Sequence, residues 1–350
     1  MSRFFSSKFK RLIPYTPGEQ PQDMQYTKLN TNESPFPPSP KAIEYMKNTA
    51  ETLNLYPDPE CRELTAAVAE NLGLEADEVI LTNGSDEILN FAFMAFCDDG
   101  AVFPDITYGF YPVYARLNSV PYSEIPLCGD FSVNVSDYEG VGKTIFIANP
   151  NAPTGIALPL CDIERILKSN PDNVVVVDEA YVDFGNESAV GLIHKYDNLL
   201  VTRTFSKSRS MAGARLGFGA GSKRLIQDIN TIKYSTNPYN INKMTMAAGL
   251  GAMADEEYTK KNCEIIIQNR EYTVCELKKL GFTMTPSTAN FVFAKHKDVS
   301  GKKIYEMLKK SGVLVRHFDK PRISEYNRIT IGTREQMDIL LGVLRKELTL

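Results

Sequence analysis

The chain has no cysteine pair at CxxC spacing and only three histidines, His194, His296 and His317, none near another. A structural zinc site usually shows clustered thiols or imidazoles and a disulfide framework a dense set of cysteines, so the spacing argues against both. The six cysteines (Cys61, Cys97, Cys128, Cys161, Cys263, Cys275) are scattered, a usage that fits a reducing cytoplasm. No apolar run approaches the length of a membrane span. The opening SRFFSSKFKR lacks the apolar region of a secretory signal and is expected to be an N-terminal arm. Charge of one sign is also missing: a formal net charge of −4 and a pI of about 5.6 suggest neither a nucleic-acid nor an anionic-membrane partner. There is no internal repeat and no low-complexity tract. What remains is a chain of 350 residues, long enough for about two domains and a large core.

The stretch around which the rest is organised is Val201 to Gly219, VTRTFSKSRSMAGARLGFG. LLVTRTF is apolar and β-branched enough for a buried strand, and it ends at Ser206-Lys207, where small residues begin. Ligands of open α/β sheets collect outside the carboxyl ends of the strands, so Lys207 is expected to face a cleft. A free lysine near pKa ~10.4 costs roughly 4 to 5 kcal/mol to neutralise at pH 7, and a Schiff base with a bound aldehyde removes that handicap. Arg215, between Gly213 and Gly217, suits a guanidinium brought close to a phosphate by compact backbone.

In chain order, residues 1–30 carry PYTPGEQ and read as an irregular arm, leading into the proline-rich LNTNESPFPPSP. A helix is expected from about Lys41 and another over Cys61 to Asn71, ended by Gly73. EVILTNGSDEILNF reads as strand, turn at Gly84-Ser85, and helix from about Asp86, whose unpaired first N–H groups can cradle a phosphate. Tyr108 falls in a loop between a strand and a helix, where it could stack on a flat ring. TIFIA and NVVVVD are further strands, the second ending at Asp178, an acid that is expensive to bury without a cation or hydrogen bonds. Alternating strands and helices from about Glu78 to Gly221 predict a mostly parallel sheet with helices on both faces. One long helix is expected to run to about Lys279, followed by an α+β series with strands TANFVFAK, VLVRHF and RITIG. The expected division is an arm over 1–30, a large domain over 31–240 and a smaller C-terminal domain over 241–350.

Taken in order, PYTPGE, LNTNESP, YPDP, TNGSDE, PDITYGFY, NPNAPTG, VVDEAYVDF, RTFSKSRSMAGARLGF, VLVRHF and RITIGTREQ resemble the fold type I pyridoxal-phosphate enzymes, in the aminotransferase group that contains histidinol-phosphate aminotransferase. The resemblance covers nearly the whole chain. It implies that Lys207 binds the aldehyde of pyridoxal 5′-phosphate and later moves a proton, and that Asp178 keeps the pyridine nitrogen protonated. It further implies Tyr181 on the ring's phenolic oxygen, Tyr108 on the ring face, and a phosphate grip made by the Gly84-Ser85-Asp86 turn, Ser206 and Arg215. Tyr56 matches a tyrosine that reaches the phosphate from a neighbouring subunit, so a homodimer is implied. The asparagine usual before PTG is here Ala152, and Asn151 is the expected substitute for its bond to the phenolic oxygen.

For substrate, the resemblance implies Arg316 and Arg328 as carboxylate or phosphate ligands, with Tyr15 and Asn32 closing over the substrate. The implied reaction exchanges an amino group between glutamate and imidazole acetol phosphate in histidine biosynthesis. Two alternatives within the fold are an aromatic-amino-acid transaminase and a lyase like threonine-phosphate decarboxylase. A cofactor-sensing regulator would need a DNA-binding domain ahead of the core, and the first thirty residues do not read as one.

Overall fold

The computed structural model describes residues 2–10 and 12–348. Near the N-terminus, β1 (Thr27–Lys28) precedes α1 (Pro40–Thr49), which opens with Pro40 in its first turn and with Ser39 accepting the N–H of Ala42. Next comes α2 (Arg62–Leu72), which stops at Gly73 in the left-handed region with φ +69°. The central unit then alternates: β2 (Val79–Thr82), α3 (Ser85–Ala95), β3 (Ala101–Pro104), α4 (Tyr111–Asn118), β4 (Tyr122–Ile125), β5 (Thr144–Ala148), α5 (Leu160–Ser169), β6 (Val175–Asp178), β7 (Leu199–Thr204) and β8 (Gly217–Gly221).

These strands form one seven-stranded sheet in the order β2-β8-β7-β6-β5-β3-β4. Only β8 runs against its neighbours, β7 and β2. β2, β3, β5, β6 and β8 are buried throughout, which is why their sequences read as unbroken apolar runs rather than alternating ones. Helices cover both faces, with α3, α4 and α6 (Lys223–Thr236) over one core that includes Phe93, Phe103 and Phe146, and α5 over another built on Ile145, Val175 and Val201. Parallel crossovers point the carboxyl ends of β3, β5, β6 and β7 toward one edge, and the turns that follow them meet there.

Two expectations need correction. The single long helix is two, α7 (Lys243–Met253) and α8 (Glu256–Lys279), parted at Ala254-Asp255. They bury their faces against different bodies: Ala248 and Ala252 of α7 join the core with α1 and α2, whereas Cys263, Ile266 and Leu277 of α8 join the core of the smaller sheet. That sheet, in the order β12-β13-β10-β9, is built from β9 (Phe282–Met284), β10 (Phe291–His296), β12 (Arg316–His317) and β13 (Asn327–Thr330). α9 (Gly301–Lys310) and α10 (Arg334–Leu348) pack on it with α8. The second correction concerns VLVRHF, expected as one strand. Its first half, β11 (Val313–Leu314), pairs in parallel with β1, and the chain changes sheet at buried Val315 so that Arg316 pairs with Arg328.

Candidate functional site

At the carboxyl ends of β6 and β7 lies a cavity of about 260 Å³. Lys207, Asp178, Tyr181 and Tyr108 line one part of it, and Ser85, Asp86, Ser206 and Arg215 line another. Residues separated by more than a hundred positions thus converge on one pocket. Two roomier clefts, of about 460 and 610 Å³, lie along α2 and contain neither Lys207 nor Asp178.

The phosphate-sized end is shaped by backbone. Gly84 caps α3 at φ +77°, and a Cβ there would meet Nη2 of Arg215 at 2.6 Å. On the other side a Cβ on Gly217 would stand 2.3 Å from the amide nitrogen of Ser85. Glycine at both positions lets the guanidinium and the strand close in on the turn. The first N–H groups of a helix have no intrahelical acceptor, so those of Ser85 and Asp86 are available to an anion. Arg215 itself occupies φ +57°; its Nη2 donates to Asp86 at 3.0 Å and its Nη1 to Ser206 at 3.5 Å. Tyr108 donates to the same Asp86 at 2.6 Å.

Asp178 is 5 % exposed. Its carboxylate accepts from Tyr111 at 3.0 Å, from the Ala180 amide at 3.3 Å and from Thr202 at 3.4 Å. Burial pushes its pKa up to about 6, with a further upward push from the charge of Asp86. Among the described residues it forms no ion pair, so the desolvated carboxylate has hydrogen-bond donors but no cation bound to it. A protonated aromatic nitrogen is the complement such a group lacks. Tyr111, fully buried, keeps its proton because burial and the neighbouring charge of Asp178 raise its pKa well above the ordinary value.

Lys207 is half-buried, with Nζ donating to the Thr31 carbonyl at 3.3 Å and lying 5.8 Å from the centre of the Tyr181 ring. The backbone beyond it is anchored by Ser208, whose hydroxyl donates to Asp183. Asp183 is also paired with Arg203 and, at 3.6 Å, with Arg209. Asn32, at φ +55° and 1 % exposed, donates from Nδ2 to the Tyr181 hydroxyl at 3.0 Å and accepts from Thr330 at 3.0 Å.

A second cavity of about 330 Å³ adjoins the first, and Tyr108, Ala152 and Tyr181 belong to the walls of both. Tyr15, Arg316, Phe318 and Arg328 line its other sides. Arg328 donates to the Asn30 carbonyl at 2.9 Å and lies 5.4 Å from the Phe291 ring centre, while its Nε is buried without a partner. Burial lowers its pKa from the usual arginine value. Arg316 donates to the carbonyls of Pro17 at 3.2 Å and Thr16 at 3.3 Å. Neither arginine forms an ion pair among the described residues. The arm therefore crosses this cavity as a strap, with Tyr15 stacked on Phe110 at 4.1 Å. Its far end is fixed by Glu19, which accepts from Tyr305 and Lys309 and offers its carbonyl to Asn30 at 2.8 Å.

One expected contact is not made. Asn151 spends its amide on its own loop and the loop after β3, donating to Thr154 at 3.0 Å and the Ile106 carbonyl at 2.9 Å and accepting from Thr107 at 2.8 Å. It lines neither cavity that contains Ala152, so it does not replace the missing asparagine; the amide beside Tyr181 is that of Asn32. Tyr56 also lies outside the pocket of its own chain, 80 % exposed and stacked on Tyr239 at 4.7 Å. Sequence reasoning missed Tyr111, Thr202, Asp183 and Glu19. Tyr111 had a signal, since its place three residues after Tyr108 puts it at the start of the helix that follows that loop. Among the described residues there is no cluster of three metal-ligating side chains, and no helix is long and apolar enough to cross a membrane.

The chain belongs to the aminotransferase class I and II family, whose model matches residues 25–344. Among curated relatives, the histidinol-phosphate aminotransferase of Marinomonas sp. (strain MWYL1) is 52 % identical over 99 % of both chains. The solved histidinol-phosphate aminotransferase of Clostridium acetobutylicum superposes with a TM-score of 0.85 at 25 % identity, covering 92 % of this chain and 99 % of that one. The enzyme of that name from Sinorhizobium meliloti, solved in complex with pyridoxal-5′-phosphate, shares the fold at a TM-score of 0.84 and 23 % identity, covering 92 % of this chain and 90 % of that one.

Proposed function

We infer that the chain is a pyridoxal-phosphate-dependent aminotransferase that interconverts histidinol phosphate and 2-oxoglutarate with imidazole acetol phosphate and glutamate. The observation that carries this reading is the pair of adjoining cavities: Lys207 and Asp178, an acid without an ion-pair partner, line one, Arg316 and Arg328 without acidic partners line the other, and Tyr108, Ala152 and Tyr181 wall both.

When bound, pyridoxal 5′-phosphate supplies an electron-withdrawing ring that accepts the electron pair left when a proton leaves the substrate carbon bearing the nitrogen. Asp178 would hold the ring nitrogen protonated, and that cation would in turn let the carboxylate ionise despite its burial. Ser85 and Asp86 offer backbone N–H groups to the phosphate, joined by the Ser206 hydroxyl and the Arg215 guanidinium, which exchanges Asp86 for a stronger anion. Tyr108 presents its ring as a wall to the flat heterocycle. Asn32 donates to the Tyr181 oxygen, which leaves the tyrosine's own proton free to be given to the phenolic oxygen. Lys207 would bind the cofactor's aldehyde through Nζ and, as the free amine, would hold and move the proton of the substrate carbon.

Arg328 takes the anionic group of either substrate, and a planar guanidinium suits carboxylate and phosphate alike. Arg316 joins it from the strap, and Tyr15 closes over the bound molecule. Tyr56 reaches the phosphate of a second subunit; the exposed Leu53, Leu55, Tyr56 and Tyr239 supply apolar surface for a homodimer contact. With scattered free thiols, the chain works in the cytoplasm.

The test is the absorbance spectrum of the cofactor-loaded protein titrated with glutamate and, separately, with histidinol phosphate. Both amines are expected to convert the cofactor to its amine form. Failure of glutamate to do so sinks the reading, and conversion by glutamate alone moves it to another acceptor.

A further inference from the structure

A group of side chains outside both cavities ties the phosphate turn to a distant loop. The Glu87 carboxylate reaches back from the first turn of α3, and its Oε2 accepts the backbone N–H of Asn83 at 2.7 Å. The same oxygen accepts Nδ2 of Asn240 at 2.6 Å. Asn83 closes the ring by donating from its own Nδ2 to the Asn240 carbonyl at 3.0 Å. Asn240 is 5 % exposed, so its amide is not a solvated surface group that happens to lie close.

Two of the three bonds join segments more than 150 residues apart. On one side stands Asn83-Gly84-Ser85, the turn that leads into the free Ser85 and Asp86 amides at the anion end of the cavity. On the other stands the loop between α6 and α7, in which Tyr239 stacks on Tyr56. The segment bearing Tyr56 is held to the same two helices at both ends: Lys233, 2 % exposed, donates to the Pro59 carbonyl at 2.9 Å, and Lys243 donates to the Thr52 carbonyl at 3.0 Å.

We infer that the Glu87–Asn240 clasp sets the grip of this protein on the cofactor's phosphate, by fixing the Asn83-Gly84-Ser85 turn and, through Tyr239, the bearing of Tyr56. The inference rests on the cofactor reading above. Glu87 and Asn240 are positioning residues: neither lines the cavity, and both act through the turn. An amide donor aimed at an anion loses strength as its angle degrades, so a turn freed from its clasp weakens several bonds at once. The device does not depend on the charge of Glu87, which by itself repels a phosphate. A neutral side chain that keeps the acceptor oxygen therefore preserves it.

The experiment strips the full chain of cofactor and titrates it with pyridoxal 5′-phosphate and with pyridoxal, which lacks the phosphate. Glu87→Ala and Asn240→Ala are expected to weaken the phosphate ester by about tenfold or more, with pyridoxal affinity changed by less than about twofold. Glu87→Gln is expected to stay within about threefold of the parent for both ligands. Equal weakening of ester and pyridoxal would show general damage to the pocket and overturn the inference. So would unchanged ester affinity in Glu87→Ala, or a Glu87→Gln variant as weak as Glu87→Ala. If the parent chain itself binds the ester no better than pyridoxal, it is the cofactor reading that falls.

Discussion

The two cavities are built in opposite ways. The one containing Lys207 and Asp178 stands on the ends of β6 and β7, and its side chains are held by the buried Tyr111 and Thr202 and by the half-buried Asp183 and Arg203. The one containing Arg316 and Arg328 is roofed by an arm, and its arginines are held by main-chain carbonyls of residues 16, 17 and 30. A site on strand ends presents one fixed geometry, as a resident cofactor requires. A site closed by a strap can be opened and reshaped, as a pocket that must admit two different substrates requires.

The sharpest way to break the comparison is at Lys207. Lys207→Ala is expected to lower kcat with glutamate by at least about 10³-fold without changing the thermal midpoint much, because the side chain is half-buried and makes one long bond. A variant retaining a tenth of the parent rate would remove this lysine from the chemistry.

Asp178 should reveal the cost of a pocket prepared for a cation. Its folded pKa of about 6 lies above its ordinary 3.8, so the folded chain binds that proton more tightly than the unfolded chain does. Stability is therefore lost as pH rises from about 4 through about 6, by about 3 kcal/mol at most. In the cofactor-free protein, Asp178→Asn should gain stability relative to the parent across that range in urea unfolding. Addition of pyridoxal 5′-phosphate should erase the difference, and parallel pH profiles without cofactor would contradict the account. The same substitution should lower kcat of the loaded enzyme by about 10².

The two arginines sharpen the contrast further. Arg328→Gln removes a half-buried cation with no acidic partner and is expected to raise KM for glutamate about 30- to 100-fold. Arg316→Gln also loses the strap contacts, but its guanidinium already has two carbonyl acceptors to give up, so a rise of about tenfold is expected. Steady-state kinetics of both variants decide this; equal effects would mean that the strap does not compete for Arg316. The smallest change belongs to Glu19→Gln. Loosening the far end of the strap should raise KM by about two- to fivefold and leave cofactor affinity alone.

Much of the first cavity was legible in the sequence. Ser206-Lys207 follows a β-branched run, Asp178 ends a valine run, and glycines bracket the phosphate turn, so strand-end logic brings them together. The helix break at Ala254-Asp255 was not legible, because periodicity reports a helical stretch but not which of two cores each turn packs against. Nor was the division of VLVRHF between two sheets, since a strand's pattern is the same whichever partner it finds.

Asn151 and Asn32 mark the boundary most clearly. Adjacency to the missing asparagine pointed to Asn151, yet its amide is taken by Thr154 and by the loop after β3, and the amide that meets Tyr181 comes from 149 residues away. By itself the sequence determined the apolar strands, the turn chemistry and the order of the cofactor motifs, because each is a local property of neighbouring residues. Tertiary structure alone decided that Tyr111 and Thr202 serve Asp178, that the arm lies under Arg316 some 300 residues along the chain, and that Glu87 clasps Asn240. Hydrogen bonds of that kind depend on where packing brings separate segments, and no local pattern encodes it.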